Sequence, residues 1–298
     1  MERRALGATG MEVSVLGLGA WEIGLERRSL AEVEAILGGA LDAGLNVVDT
    51  ASAYFDSEEL LGRALGARRA QLYLFTKCGP TDGFSRSDWS AAGLRRQIEQ
   101  SLRRLRTDRL DLIQLHSCSL EVLARGEAIG ALEQARRDGL VRFLGYAGDG
   151  EPARWAVASG RFQVLQTSLS IADQEALSLT LPLARERGMG VVAKRPIANV
   201  VWRLPAEKVE PYYRGYWQRL RKLAYPFLAA SLDEAVGTAL RYTLSWPGVA
   251  TALVGTGKPG RFEQNAALLA AGPSPEAEQE AIRRRWLEVA GPDWVGEV

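Results

Sequence analysis

Four side chains of different chemistry stand at or just beyond the ends of three apolar runs in the N-terminal half of the chain. Val47-Val48 leads to Asp49, with Tyr54 five residues on. Leu74-Phe75-Thr76 leads to Lys77. Leu112-Ile113-Gln114-Leu115 leads to His116, the only histidine of the sequence. Singly, each has an ordinary reading: a buried Lys–Asp pair, a core histidine, a packed tyrosine. Lys77 follows an apolar run, so its ammonium is expected to be partly buried, and a buried charge needs a partner, which Asp49 supplies. Together the four suit reduction of a carbonyl. Hydride addition leaves an oxyanion that needs a proton. Tyr54 can give it, but a free phenol, pKa about 10, is a weak acid at neutral pH. Lys77 beside it favours the phenolate and lowers that pKa, while Asp49 holds Lys77 in place and charged. His116 donates a hydrogen bond to the carbonyl oxygen. The hydride must come from a cofactor. Cys78, His116 and Cys118 include the ligand types of a Cys2His metal site. Cys78, however, directly follows Lys77 and is expected to point away from it, so no metal is expected.

Bringing these groups to one rim requires neighbouring parallel strands. A helical pattern, a glycine and a short apolar run recur four times. Gly44 precedes Asn46-Val47-Val48-Asp49, and Gly139 precedes Val141-Arg142-Phe143-Leu144. Gly160 precedes Phe162-Gln163-Val164-Leu165, and Gly188 precedes Gly190-Val191-Val192-Ala193. Each reads as a helix stopped by a left-handed glycine and feeding a buried strand, which implies a parallel sheet. Strands are expected near 12–20, 46–51, 72–77, 110–116, 142–147, 163–169, 190–195 and 250–255. The clearest helix between them is Trp89 to Leu105, with Leu94, Ile98, Leu102 and Leu105 on one face and Asp88 or Ser87 as its cap. Eight βα units without a break in composition predict an α/β fold, a (β/α)8 TIM barrel forming a single domain over 1–298. An open doubly wound sheet is the runner-up. In such a barrel the site lies where strands end and βα loops begin.

Two departures from the repeat stand out. The segment before the first strand reads as an N-terminal β-hairpin turning at Thr9-Gly10. A long loop separates strands seven and eight. Residues 197–230 there hold 7 of the chain's 23 aromatic residues, among them Trp202, Tyr212, Tyr213, Tyr216 and Trp217. They form either a helical excursion packed on the barrel or a cover for the site.

The 298 residues are 47% hydrophobic and 24% charged, enough to bury a core. Thirty-seven basic against 36 acidic residues leave a net charge of +1, which asks for neither nucleic acid nor an anionic membrane as partner. No run approaches the ~18 apolar residues of a membrane span, and Met1-Glu2-Arg3-Arg4 leads into no secretory h-region. Two cysteines suit a reducing, cytoplasmic setting.

Gly17-Leu18-Gly19-Ala20-Trp21-Glu22 is not G-x-G-x-x-G, because Glu22 stands at the third glycine, which argues against a Rossmann dinucleotide site. The better phosphate candidate is Gly255-Thr256-Gly257-Lys258-Pro259-Gly260-Arg261, a glycine-rich loop at the start of a helix with two cations.

The whole set of motifs resembles the aldo-keto reductase superfamily over nearly the full length. The match is carried by Leu16-Gly17-Leu18-Gly19-Ala20-Trp21, by Asp49-Thr50-Ala51-Ser52-Ala53-Tyr54 and by Ser57-Glu58-Glu59-Leu60-Leu61-Gly62. Thr76-Lys77, Ser101-Leu102-Arg103-Arg104-Leu105, Asp111-Leu112-Ile113-Gln114-Leu115-His116 and Gln264-Asn265 also match. The resemblance implies a (β/α)8 barrel, a small carbonyl substrate and NADP(H), with Asp49, Tyr54, Lys77 and His116 as the catalytic tetrad. It also implies that Gly19, Ala20, Trp21, Asp49, Gln166, Gly255, Thr256, Lys258, Arg261, Gln264 and Asn265 line the cofactor, Arg261 gripping the adenosine 2′-phosphate. The family usually has Gly-x-Ser-Asn after strand five, to hold the nicotinamide amide. Here Gly145-Tyr146-Ala147-Gly148-Asp149 lacks both polar side chains, leaving Gln166, or Asp149, to hold the amide. That loss is the one feature favouring a second reading, a cofactor-binding regulatory subunit with little activity.

Overall fold

The structure is a computed structural model describing residues 1–296. Eight parallel strands run Leu16–Gly19 (β1), Val47–Asp49 (β2), Tyr73–Cys78 (β3), Leu110–His116 (β4), Val141–Ala147 (β5), Val164–Ser168 (β6), Gly190–Lys194 (β7) and Val249–Gly255 (β8). Each pairs with the next and β8 pairs with β1, so the sheet closes and the open-sheet alternative falls. Helices cover the outside of the sheet, among them Leu30–Asp42, Ala91–Arg104, Glu127–Arg137 and Leu232–Leu244. The helices Leu30–Asp42 and Leu232–Leu244 begin in capping boxes, Ser29 with Glu32 and Ser231 with Glu234. The four junction glycines, 44, 139, 160 and 188, all have positive φ, as the repeat requires.

Strand alternation sorts the side chains into two cores. Val47, Phe75, Leu112, Val164, Val192 and Leu253 fill the barrel interior. Val48, Leu74, Ile113, Leu144, Leu165 and Val191 face the helices. A third cluster joins Tyr216, Leu220, Leu223 and Tyr225 of the excursion after β7 to Tyr242, Ile282, Trp286 and Trp294.

Three details differ from the sequence reading. The run 12–20 is two strands: Glu12–Ser14 pairs antiparallel with Arg3–Ala5, and only Leu16–Gly19 enters the barrel. The hairpin connection is wider than a turn at Thr9-Gly10. It contains the short helical turn Gly7–Thr9, and Gly10 then takes φ 73°. The helix expected over Trp89 to Leu105 starts at Ala91 instead. Its cap is Ser90, whose hydroxyl accepts from the Gly93 N–H, while Asp88 instead accepts from Ser90. Ser90 wins because it immediately precedes the helix and can reach the free N–H groups of its first turn.

Candidate active site

The barrel register determines which rim residues meet. Asp49 lies level with Gly19, and Gly19 with Gly255. Lys77 is level with Gln114, His116 with Ala147, and Gln166 also with Ala147. Along each strand these residues share the parity of the interior core, so Asp49, Lys77, His116, Gln166 and Lys194 turn inward at the C-terminal end. A cavity of about 790 Å³ opens there.

Lys77 is 2% and Asp49 3% exposed, and the ammonium bonds the Asp49 carboxylate. It also donates to the Thr50 carbonyl at 2.9 Å and lies 3.4 Å from the Tyr54 hydroxyl. Gln114 donates to the other Asp49 oxygen at 3.2 Å. Tyr54 sits in a tight turn after β2, and the helix Trp21–Leu25 can cross its backbone because residue 24 is glycine. A methyl group at Gly24 would fall 2.1 Å from the Tyr54 carbonyl. Trp21 meets the Tyr54 ring edge-on at 5.0 Å, and His116 meets it at 5.7 Å.

Electrostatics refine the sequence expectation for Tyr54. Burial pushes the phenol above its ordinary value, and the nearby Lys77 charge pulls it back only in part. The expected lowering is therefore present as a contribution but is outweighed by desolvation. Burial also opposes the Lys77 charge, yet Asp49 and Tyr54 together raise its pKa. His116 is held well below 6.5 by burial, then by Lys77, Lys194 and Arg195, so the ring is neutral. Its buried Nδ1 has no hydrogen-bond partner among the described residues.

Gly19, Ala20, Trp21, Asp49, Gln166 and Gly255 line the same cavity as Tyr54, Lys77 and His116. The structure does not bring Thr256, Lys258, Arg261, Gln264 and Asn265 onto that wall. They lie beyond it, on the loop after β8 and on the helix Arg261–Leu268. Asp149 is not aimed at the cavity. It accepts from Thr167 Oγ1 at 2.8 Å, Ser168 N at 2.6 Å and Lys194 Nζ at 2.6 Å, and Gly296 packs against it. The space beside Gly148 is filled by Tyr146, whose hydroxyl would lie 2.7 Å from an added methyl group and donates to the Cys118 carbonyl. Cys78 and Cys118 face the helices, away from His116. Among the described residues no three His, Cys, Asp or Glu are placed to share a metal ion.

The sequence does not single out Phe84, Lys194 and Arg195, which share the cavity wall with Tyr212 and Tyr213 of the aromatic-rich excursion. Phe84 packs edge-on against His116 at 5.0 Å. Lys194 ends β7, so the same strand-end rule that found Lys77 applies to it. Arg195 lies against Tyr212 and Tyr216 from the excursion, with ring centroids 5.1 and 5.8 Å from its guanidinium carbon. Both readings of the excursion therefore hold, since one part packs on the barrel and another walls the cavity.

Several motif residues outside the cavity hold the frame together. Buried Glu58 accepts from Thr76 at 2.7 Å and pairs with Arg104. Asp111 pairs with Arg69 and Arg142 at the opposite end of β4.

A closed parallel barrel with these groups at its C-terminal rim is the architecture of a barrel enzyme. The chain belongs to the aldo/keto reductase family, whose model matches residues 15–286, and is an oxidoreductase of that family. It is 29% identical over 307 residues to L-galactose dehydrogenase of Arabidopsis thaliana, covering 95% of this chain and 92% of that one. It is 29% identical over 223 residues to the NADH-specific methylglyoxal reductase of Escherichia coli, covering 66% and 68%. Among solved structures, an aldo-keto reductase of Bacillus halodurans in its holo form superposes with a TM-score of 0.83 at 28% identity, covering 96% of both chains. No helix among the described residues is long and apolar enough to cross a membrane.

Proposed function

We propose that this protein reduces a small aldehyde or ketone to the alcohol by hydride transfer from NADPH, with Tyr54 as the general acid. The observation that carries the reading is the run of contacts from Asp49 through Lys77 to Tyr54, beside a neutral His116, on the wall of one cavity. The residues present fit a nicotinamide cofactor. Gln166 brings a buried Oε1 without a hydrogen-bond partner to the cavity, an acceptor suited to a carboxamide N–H. Bound there, the reduced nicotinamide supplies the hydride. Tyr54 gives its proton to the carbonyl oxygen, and the Lys77 charge stabilises the phenolate left behind. Asp49 and the Thr50 carbonyl keep that ammonium in place. Neutral His116 acts through a ring N–H that orients and polarises the carbonyl. Lys258 and Arg261 stand at the start of the helix Arg261–Leu268 and make no ion pair among the described residues, which suits an adenosine 2′-phosphate and NADPH over NADH.

The test is NADPH oxidation with a panel of small aldehydes, ketones and sugars, sugars being included because one relative is an L-galactose dehydrogenase. Turnover that depends on Tyr54 supports the reading. Tight cofactor binding without turnover of any panel member would instead favour a regulatory subunit, the reading that Ala147 and Gly148 keep open.

A further inference from the structure

Glu22 lies in the short helix Trp21–Leu25, directly after β1. The residue is half-buried, but its Oε2 is shut off from solvent and has no hydrogen-bond partner among the described residues. The carboxyl lies against Gly255 at the end of β8. A methyl group at Gly255 would fall 2.2 Å from Oε2, so a side chain there would displace the acid. Glu22, Gly19, Gly255 and Tyr213 belong to the wall of the same cavity.

Among the described residues no cation acts on this carboxyl. From its own segment it faces Glu26, whose charge is taken by Arg28. From the excursion it faces the Tyr213 phenol, with Glu210 on the same wall, and β8 presents only the Gly255 backbone. Burial raises its pKa to about 7, with Glu26 adding to the rise and a backbone hydrogen bond opposing it. Near neutral pH the group is therefore about half protonated.

We propose that Glu22 is a proton-linked contact of the dinucleotide, taking up one proton from solvent as the anionic cofactor binds and then donating that proton to a phosphate oxygen in a hydrogen bond. The inference rests on the cofactor reading above. Ionised, the carboxylate with its solvent-shielded Oε2 would face the phosphate charge; protonated, it changes from acceptor to donor. The bound anion raises the pKa of Glu22 further. Affinity is then full below the free-state pKa and falls about tenfold per pH unit above it.

Calorimetric titration of the full chain with NADH and with NADPH, in buffers of different ionisation heat between pH 7.5 and 8.5, tests this. NADH is the cleaner probe because it has no 2′-phosphate, which itself ionises near pH 6. The expected result is uptake of nearly one proton per dinucleotide and a Kd that rises about tenfold across that pH unit. Glu22→Gln, uncharged and still able to donate, should flatten the dependence. Binding by the parent without proton uptake would overturn the proposal and leave the cofactor reading standing, and that measurement needs no variant to fold. A slope unchanged in Glu22→Gln would do the same. Failure of both dinucleotides to bind at any pH would remove the cofactor reading as well.

Discussion

At the residue scale, Tyr54 is pulled two ways: burial favours the phenol, Lys77 the phenolate. Keeping the proton on suits an acid, and the cation is needed at the moment the proton leaves. Tyr54→Phe should lower turnover about 10²-fold or more, the range for lost acid catalysis, while cofactor affinity measured by fluorescence titration stays near the parent's. Lys77→Met should cripple turnover and also lower Tm. It leaves the Asp49 carboxylate buried, with Gln114 as its remaining side-chain donor, and breaking a buried pair this way costs about 3–5 kcal/mol. His116 gives a pH signature. Its folded pKa is depressed, so the unfolded chain takes up a proton first as pH falls below about 6.5. The stability this neutral ring contributes is complete above that value and lost on acidification. The drop in Tm from pH 7.5 to 5.5 should be smaller in His116→Gln than in the parent, and equal drops would exclude His116 as the source.

At the element scale, the loop after β8 and the end of β5 carry separate consequences. Arg261 begins the helix Arg261–Leu268, and a charge-assisted contact to phosphate is worth about 1.5–3 kcal/mol. Arg261→Ala should therefore weaken NADPH binding about tenfold or more and leave NADH nearly unaffected. Equal losses for both would remove the 2′-phosphate assignment. At the end of β5, restoring a Ser-Asn pair is not one operation but two. Ala147 turns into the cavity, so Ala147→Ser adds a hydroxyl where a ligand would meet it. Gly148→Asn must displace the Tyr146 ring from a buried, hydrogen-bonded position. That overpacking should cost about 1–3 kcal/mol, read as a lowered Tm, whereas Ala147→Ser should keep the parent's stability and tighten or leave unchanged the cofactor's Kd. A stable Gly148→Asn protein would show that Tyr146 yields easily.

At the scale of the whole molecule, the barrel is packed from both ends for different purposes. The hairpin brings Leu6, Met11 and Val13 into the interior core with Val47, Phe75 and Val192, while the opposite end opens as the cavity. Stability and chemistry are thereby separated along the barrel axis. Met11→Ala should cost about 2–5 kcal/mol of stability, in the range for a buried large-to-small change. Its KM and turnover should match the parent's at temperatures where it remains folded. A changed KM with unchanged Tm would mean that the hairpin acts on the site rather than on the core.

Much of this arrangement is local and therefore legible in the chain. Each strand is a short apolar run, each junction glycine follows its helix, and Asp49, Lys77 and His116 sit at strand ends because strands and their stops are written in consecutive residues. The eight runs and the closed barrel followed from that repetition, and the rule that chemistry gathers at one rim, together with the family resemblance, pointed to the proposed grouping of Asp49, Tyr54, Lys77 and His116. What needed tertiary structure is everything set by packing between distant segments. Burial outweighs Lys77 at Tyr54 because of the walls around it, including Trp21 from the short helix after β1 and Phe84 from the segment after β3. Asp149 belongs to Lys194, 45 residues away, rather than to the cavity. Tyr146 closes the space beside Gly148 because the outward face of β5 packs under the loop carrying Cys118. Glu22 becomes a half-buried acid, its Oε2 shut off from solvent and with no cation acting on it among the described residues, only when β8 closes against β1 and places Gly255 beneath it. Hydrophobic periodicity specifies which elements form, but solvent exclusion and charge pairing are properties of neighbours that the linear order does not name.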